Sequence, residues 1–176
     1  MIALENVYSR IGDEILFSNL NNSFEIGRVH GIWNEKDKVN TWLLKLLAGH
    51  VPLDSGIIRY RGVRLDHTDV AYYGRGCVSG TGIIKGPVLY KHESKLIYLF
   101  DNIFDRTDRR SFVRMYDMIL SLKDMGRTIL VTSSDHRVLI AATDFFHILS
   151  KGVFQAKVHF RQYDLLEDVL SHVLRS

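Results

Sequence analysis

The residues best able to do chemistry lie in a strand, loop and helix passage over residues 31–49. Arg28, Val29 and His30 lead in with strand-like character, six of the seven residues 34–40 are polar or charged, and Trp42, Leu43, Leu44, Leu46 and Leu47 follow at helical spacing. A loop so placed holds phosphate when it reads G-x-x-x-x-G-K-S/T. The glycines let backbone N–H groups fold around the anion, the lysine reaches outer phosphate oxygens and the hydroxyl holds magnesium. Laid on residues 34–41, the pattern finds Asn34 for the first glycine, Val39 for the second, Asn40 for the lysine, and Thr41 retained. Val39 is β-branched and resists the positive φ of a phosphate nest. Lys36 and Lys38 offer substitute cations, but Glu35 and Asp37 neutralise them locally. Free N–H groups at the start of a helix from Thr41 still give the passage some attraction for an anion.

A second chemical position ends the apolar run Leu96, Ile97, Tyr98, Leu99, Phe100, which reads as a buried parallel strand. It closes on Asp101, suited to a divalent cation, and Asn102, which cannot act as a general base. Ser133, Ser134, Asp135 and His136 hold the letters of a hydrolytic triad, but residues adjacent in sequence cannot face one another as nucleophile, base and orienter. The 8 histidines lack metal-ligand spacing. His30, His147 and His159 sit in strand-like runs and read as packed or surface residues.

These residues need a scaffold, and the chain supplies one. Residues 2–30 alternate apolar runs with turn residues and predict two or three antiparallel strands. Turn chemistry at residues 49–56 leads into a strand pair through Ile57, Ile58, Tyr60, Val63 and Leu65. Residues 70–73 read as a strand, and residues 109–125 as a helix closed by Gly126. Strand 128–131, helix 138–142 and a hairpin from Phe145 to Val153 complete the pattern. Trp33 and Trp42 read as core residues flanking the loop. An amphipathic helix is predicted over residues 164–175, with Asp164 and Glu167 as a capping box and Leu165, Leu166, Val169, Leu170, Val173 and Leu174 on one face. That face either packs on the sheet or forms a partner or dimer surface.

Length and composition fit a single domain spanning residues 1–176, with 46% apolar and 24% charged residues. A net charge of +3, without a Lys/Arg block, argues against nucleic-acid binding. The single Cys77 excludes an internal disulfide and a cysteine-based zinc cage, which suits a reducing compartment. With no stretch of 18 consecutive apolar residues and no signal-peptide plan, a cytoplasmic protein is expected, reaching a membrane only through a partner.

The order and spacing of these features over residues 4–154 resemble the nucleotide-binding domain of ABC-type ATPases. The most specific segments are Leu46, Leu47, Ala48, Gly49 with the following Pro52, Ser55, Gly56 and Ile58, and the strand ending in Asp101. The resemblance implies an α/β fold of the P-loop NTPase type, with a mainly parallel core sheet and an N-terminal antiparallel β lobe. It implies that Ile11 stands where an adenine-stacking aromatic belongs, Arg75 for the Q-loop glutamine, Asn102 for the catalytic glutamate and Ser134 for the switch histidine. Thr41 and Asp101 are the retained magnesium-side residues, and Asp108 the retained D-loop acid. Only 26 positions (101 − 75) separate Arg75 from Asp101, so the helical subdomain is expected to be deleted, with Val78, Ser79, Gly80, Thr81 and Gly82 a relic of the signature and Gly86-Pro87 a helix break. The expectation is a pseudo-ATPase without catalytic residues, cofactor or metal, with a degenerate site of Asn34, Val39, Asn40, Thr41, Arg75, Asp101, Asn102 and Ser134. It would act as a scaffold or regulatory subunit, its partner a protein such as an ABC-type ATPase, a membrane-associated complex or a second copy. The alternatives are an accessory subunit paired with an active transporter ATPase, and a residual Mg-nucleotide-dependent enzyme using Thr41 and Asp101.

Overall fold

The computed structural model describes residues 1–74, 94–105, 108–165 and 168–171. Strands β1 (Ile2–Ile11) and β2 (Glu14–Phe24) pair antiparallel about a turn at Gly12, whose φ is +57°. On its other side β1 pairs with β4 (Ser55–Tyr60), and β5 (Val63–Arg64) completes a four-stranded sheet in the order β2-β1-β4-β5. Its apolar residues Ile2, Leu4, Val7, Phe17 and Leu20 point to one side, as a sheet with one wet face requires.

A second sheet has six strands in the order β10-β9-β3-β8-β7-β6. Strands β3 (Val29–Trp33), β6 (Val70–Tyr73), β7 (Ile97–Asp101), β8 (Thr128–Thr132) and β9 (Phe145–Ser150) run parallel, and β10 (Val153–His159) pairs antiparallel at one edge. Of the strands expected in residues 2–30, two form the antiparallel hairpin and the third, β3, joins the parallel sheet. All five residues of β3 are buried, so it needs cover on both faces.

Strand alternation sorts the sheet's side chains into two cores. Ile97 and Leu99 of β7 with Leu130 of β8 face the β lobe and helix α1 (Asp37–Leu47), which contributes Leu43, Leu44, Leu46 and Leu47. Tyr98, Phe100, Ile129 and Val131 face the other way, onto α2 (Arg109–Asp124) and α3 (His136–Ala142). Asp108 caps α2 by accepting from the Ser111 amide at 2.8 Å, and Asp135 caps α3 from the Arg137 amide at 3.0 Å. Lys123 on α2 pairs with the mostly buried Asp144 at 2.6 Å, tying the helix to the start of β9.

Two expectations need correction. Helix α1 begins at Asp37, a full turn before Thr41, so Val39 and Asn40 are helical residues and not loop residues. The reason is local: no glycine interrupts residues 34–40, the Val39 amide already bonds the Lys36 carbonyl at 2.9 Å, and no residue between Gly31 and Ala48 has positive φ. At the C-terminal end, residues 160–165 form a 3-10 turn and residues 168–171 are helical. Of the two alternatives for the face that includes Leu170, packing holds at that residue: Leu170 is 5% exposed and packs in the second core with Val169 beside it, because an apolar face this close to the sheet has somewhere to bury. Leu166 and Val173 of that surface lie outside the described residues, as do Arg75, the Val78 to Gly82 passage and Gly86-Pro87. Among the described residues no helix is long and apolar enough to cross a membrane.

Candidate functional site

Three elements converge on Asp101, the last residue of β7, which is 2% exposed. Its Oδ1 accepts from the Thr41 hydroxyl of α1 at 3.0 Å, the Thr132 hydroxyl ending β8 at 3.1 Å and the Asn102 side-chain amide at 3.0 Å. Its Oδ2 accepts from the Tyr72 hydroxyl on β6 at 2.9 Å. Oδ1 is thus crowded by three neutral donors while Oδ2 holds one, so both carboxylate oxygens are engaged and one lone-pair site of Oδ2 lies outside these bonds. The backbone cooperates, since Asn102 sits at φ +52°, a left-handed conformation that Asn tolerates, with its amide on the Thr132 carbonyl at 3.2 Å and hydroxyl at 3.1 Å.

The loop side has different partners. Asn34 is buried, donates to the Leu149 carbonyl of β9 and accepts from the Lys36 amide at 2.7 Å, which pins the chain before α1 to the neighbouring strand. Asn40 is 0% exposed, and neither side-chain amide atom has a partner among the described residues. Lys38 pairs with Glu14 on β2; that hydrogen bond holds the Glu14 carboxyl below its usual pKa. Between β2, residues 33–39 and the β9–β10 turn lies a cavity of about 430 Å³ lined by Glu14, Leu16, Asn34, Lys36 and Val39 among others. Neither Asp101 nor Thr41 lines it. Ile11 is partly exposed at the end of β1 and offers no aromatic face.

Ser134 does not join Asp101. Its hydroxyl donates to Asp105 Oδ2 at 3.1 Å while the Ser133 hydroxyl donates to Oδ1 at 2.7 Å, and the Ser134 carbonyl accepts from the Trp33 indole at 3.2 Å. The His136 ring lies edge-on to Trp33 at 6.1 Å. Asp135 caps α3 and is held below the usual carboxylate range by its hydrogen bond from Arg137. Thus Thr41, Asp101 and Asn102 come together, while Asn34, Asn40 and Ser134 each go elsewhere. Tyr72, Thr132 and Asp105 complete these networks and gave no sequence signal as site residues: their partners lie 28 to 31 positions away.

A second buried polar group joins the two sheets. His30 Nε2 bonds the Glu25 carbonyl at 2.9 Å, His30 Nδ1 meets His147 Nε2 at 3.0 Å, and His147 Nδ1 meets the Asn22 side-chain amide at 3.2 Å. The carbonyl fixes the tautomers: each histidine donates from Nε2 and accepts at Nδ1, and both are neutral. Burial pushes the His30 pKa down to about 4 and that of His147 well below its ordinary value. The pair does structural work, with Phe24 edge-on to both rings.

No protein-family profile matches the chain. A curated relative, the cytochrome c biogenesis ATP-binding export protein CcmA of Nitrosococcus oceani, is 28% identical over 102 residues, covering 54% of this chain and 44% of the relative, so the match spans less than half of that protein. Solved structures align over nearly the whole chain. CbiO1 of Clostridium perfringens, part of the ABC transporter complex cbiONQ, gives a TM-score of 0.76 at 11% identity, covering 98% of this chain and 93% of its own. A nucleotide-free ATP-binding cassette from an ABC transporter gives 0.81 at 12% identity, covering 97% and 95%. A dimeric cassette in a post-hydrolysis state bound to ADP and Pi gives 0.70 at 14%, covering 92% and 99%. At such identities the structures speak for the fold alone. With the antiparallel lobe, the mostly parallel sheet and the helix following β3, they show that the chain has the fold of ABC ATPase nucleotide-binding domains, with a P-loop NTPase-like core.

Proposed function

We propose that this ABC ATPase-like domain does not hydrolyse nucleotide and acts through protein contacts, as a scaffold or regulatory subunit of a larger assembly. The observation behind the reading is the engagement of both Asp101 carboxylate oxygens, Oδ1 by Thr41, Thr132 and Asn102 and Oδ2 by Tyr72. Magnesium demands octahedral oxygen ligands at about 2.0–2.1 Å and keeps several waters. Here the two retained magnesium-side residues bond each other, and the remaining carboxylate oxygen is capped by a phenol. As arranged, these residues do not fit the ion. The early start of α1 supports the same reading, since helical residues 37–40 replace a loop that would wrap a phosphate. Asn102 cannot take a proton from water, so the chemical step lacks a base. Residues 1–176 are read as one domain, cytoplasmic and reaching a membrane only through a partner.

Calorimetry with millimolar Mg-ATP tests the reading: no heat of binding is expected. Clear heat, or phosphate release that disappears in Asp101→Asn, would overturn it. A second reading, an accessory subunit beside an active transporter ATPase, is favoured by the relatives, one an export protein and one part of a transporter complex. Co-purification from the native host separates the two, by whether the main partner is an active ABC ATPase or a non-transport assembly.

A further inference from the structure

The outward face of α2 has an unusual charge order. Arg109 and Arg110 occupy its first turn, Arg114 follows one turn later, and Asp117 and Asp124 lie toward its end, all exposed. Apart from the capping Asp108, the first turn holds no acid, and Asp124 shares the last turn with Lys123. Among the described residues none of these five side chains forms an ion pair, whereas inward-facing Lys123 pairs with Asp144. Two apolar side chains share the face, Val113 at 48% and Met125 at 52% exposure.

From these observations we infer that this face is a docking surface for a second copy of the chain, its α2 running antiparallel across a two-fold axis level with Ile119. In that register Arg114 of each copy lies opposite Asp124 of the other, Val113 opposite Met125, and Asp117 opposite Ser121. A two-fold interface must be self-complementary, and this stripe meets the requirement at the Arg114–Asp124 and Val113–Met125 pairs, while the Ser121 hydroxyl donates to the Asp117 carbonyl of its own helix at 2.9 Å. The antiparallel arrangement also sets the two helix dipoles head to tail. Helix α2 packs on the opposite face of the six-stranded sheet from α1, so the surface is separate from the Asp101 network and does not depend on nucleotide.

Sedimentation velocity over a concentration series of the full chain tests this, with circular dichroism as a control for folding. A dimer at about 0.05 M salt that weakens at about 0.5 M is expected, because the pairs that hold it are solvent-exposed. Arg114→Asp and Asp124→Arg should each weaken it by about tenfold or more, and the double exchange should restore it. Val113→Glu gives an independent disruption. A monomer at about 100 µM, which would imply a dissociation constant well above that concentration, overturns the proposal. So does a dimer indifferent to both charge reversals, or one that the double exchange fails to rescue.

Discussion

Asn40 is where the structure makes a quantitative demand. The side chain is 0% exposed on α1, and both amide atoms lack a partner among the described residues. A buried polar group without a partner costs about 1–3 kcal/mol. Asn40→Leu replaces it by an apolar side chain branched at the same carbon and removes that cost, and leucine is the better helix former by a few tenths of a kcal/mol. The added volume opposes this where the core is tight, and overpacking costs about 1–3 kcal/mol at worst. The expected net gain is about 1–2 kcal/mol. For a domain of this size each kcal/mol moves Tm by roughly 2–4 °C, giving a rise of roughly 2–8 °C. Urea unfolding should show the midpoint rising with an unchanged slope, the mark of altered stability rather than altered compactness. Asn40→Asp, which places a charge in the same dry position, should be strongly destabilising. If neither Asn40→Leu nor the smaller Asn40→Ala raises the midpoint, the amide has a partner in solution, and the reading of Asn40 as a buried unpaired group fails.

Further perturbations probe the other networks. Tyr72→Phe removes a hydrogen bond to a buried carboxylate and should cost about 1.5–3 kcal/mol in urea titrations; unchanged stability would mean that Asp101 is open on that side. The histidine pair makes stability depend on pH. The folded state keeps His30 neutral down to about 4 while the unfolded chain protonates near 6.5, so unfolding takes up protons between these values. Stability should therefore fall as pH is lowered from about 6.5 toward 4, by up to about 1.4 kcal/mol per unit for each histidine, and a flat profile from 6.5 to 5 would contradict the buried neutral pair. Gly56, at φ +91°, would place a Cβ 2.4 Å from the Asn6 carbonyl oxygen; Gly56→Ala should cost about 1–3 kcal/mol by thermal unfolding, more than Gly62→Ala, whose site has open space.

What could be read in advance depended on how local the cause was. The strand ending in Asp101 and the leucines of α1 announce themselves by periodicity, because burial on two faces or one imposes it on neighbouring residues. The start of α1 was misplaced because the loop was measured against a glycine-bearing pattern, although Asp37, Lys38, Val39 and Asn40 have no reason to avoid helical angles. Tyr72 looked like one aromatic in a strand; its role arises only when β6 lies beside β7. The same holds for His30 and His147, 117 residues apart, whose pairing follows from β3 and β9 being neighbours. Leu170 was ambiguous for a different reason: an amphipathic face states that it will be covered and leaves open by what.

The position of α1 between the two sheets constrains how the molecule can open. Its leucines belong to the same core as Leu4 and Phe17 of the lobe and Leu99 and Leu130 of the six-stranded sheet. Where a helix is clasped from both sides, its amides cannot meet solvent through local fraying of its middle; the sheets must separate first. Deuterium uptake at Leu43, Leu44 and Leu46 should therefore follow global unfolding, while β5 at the edge of the lobe exchanges through small openings. The lobe and the parallel sheet are in this sense one cooperative unit, with α1 as the latch that has to give way before either can be lost alone.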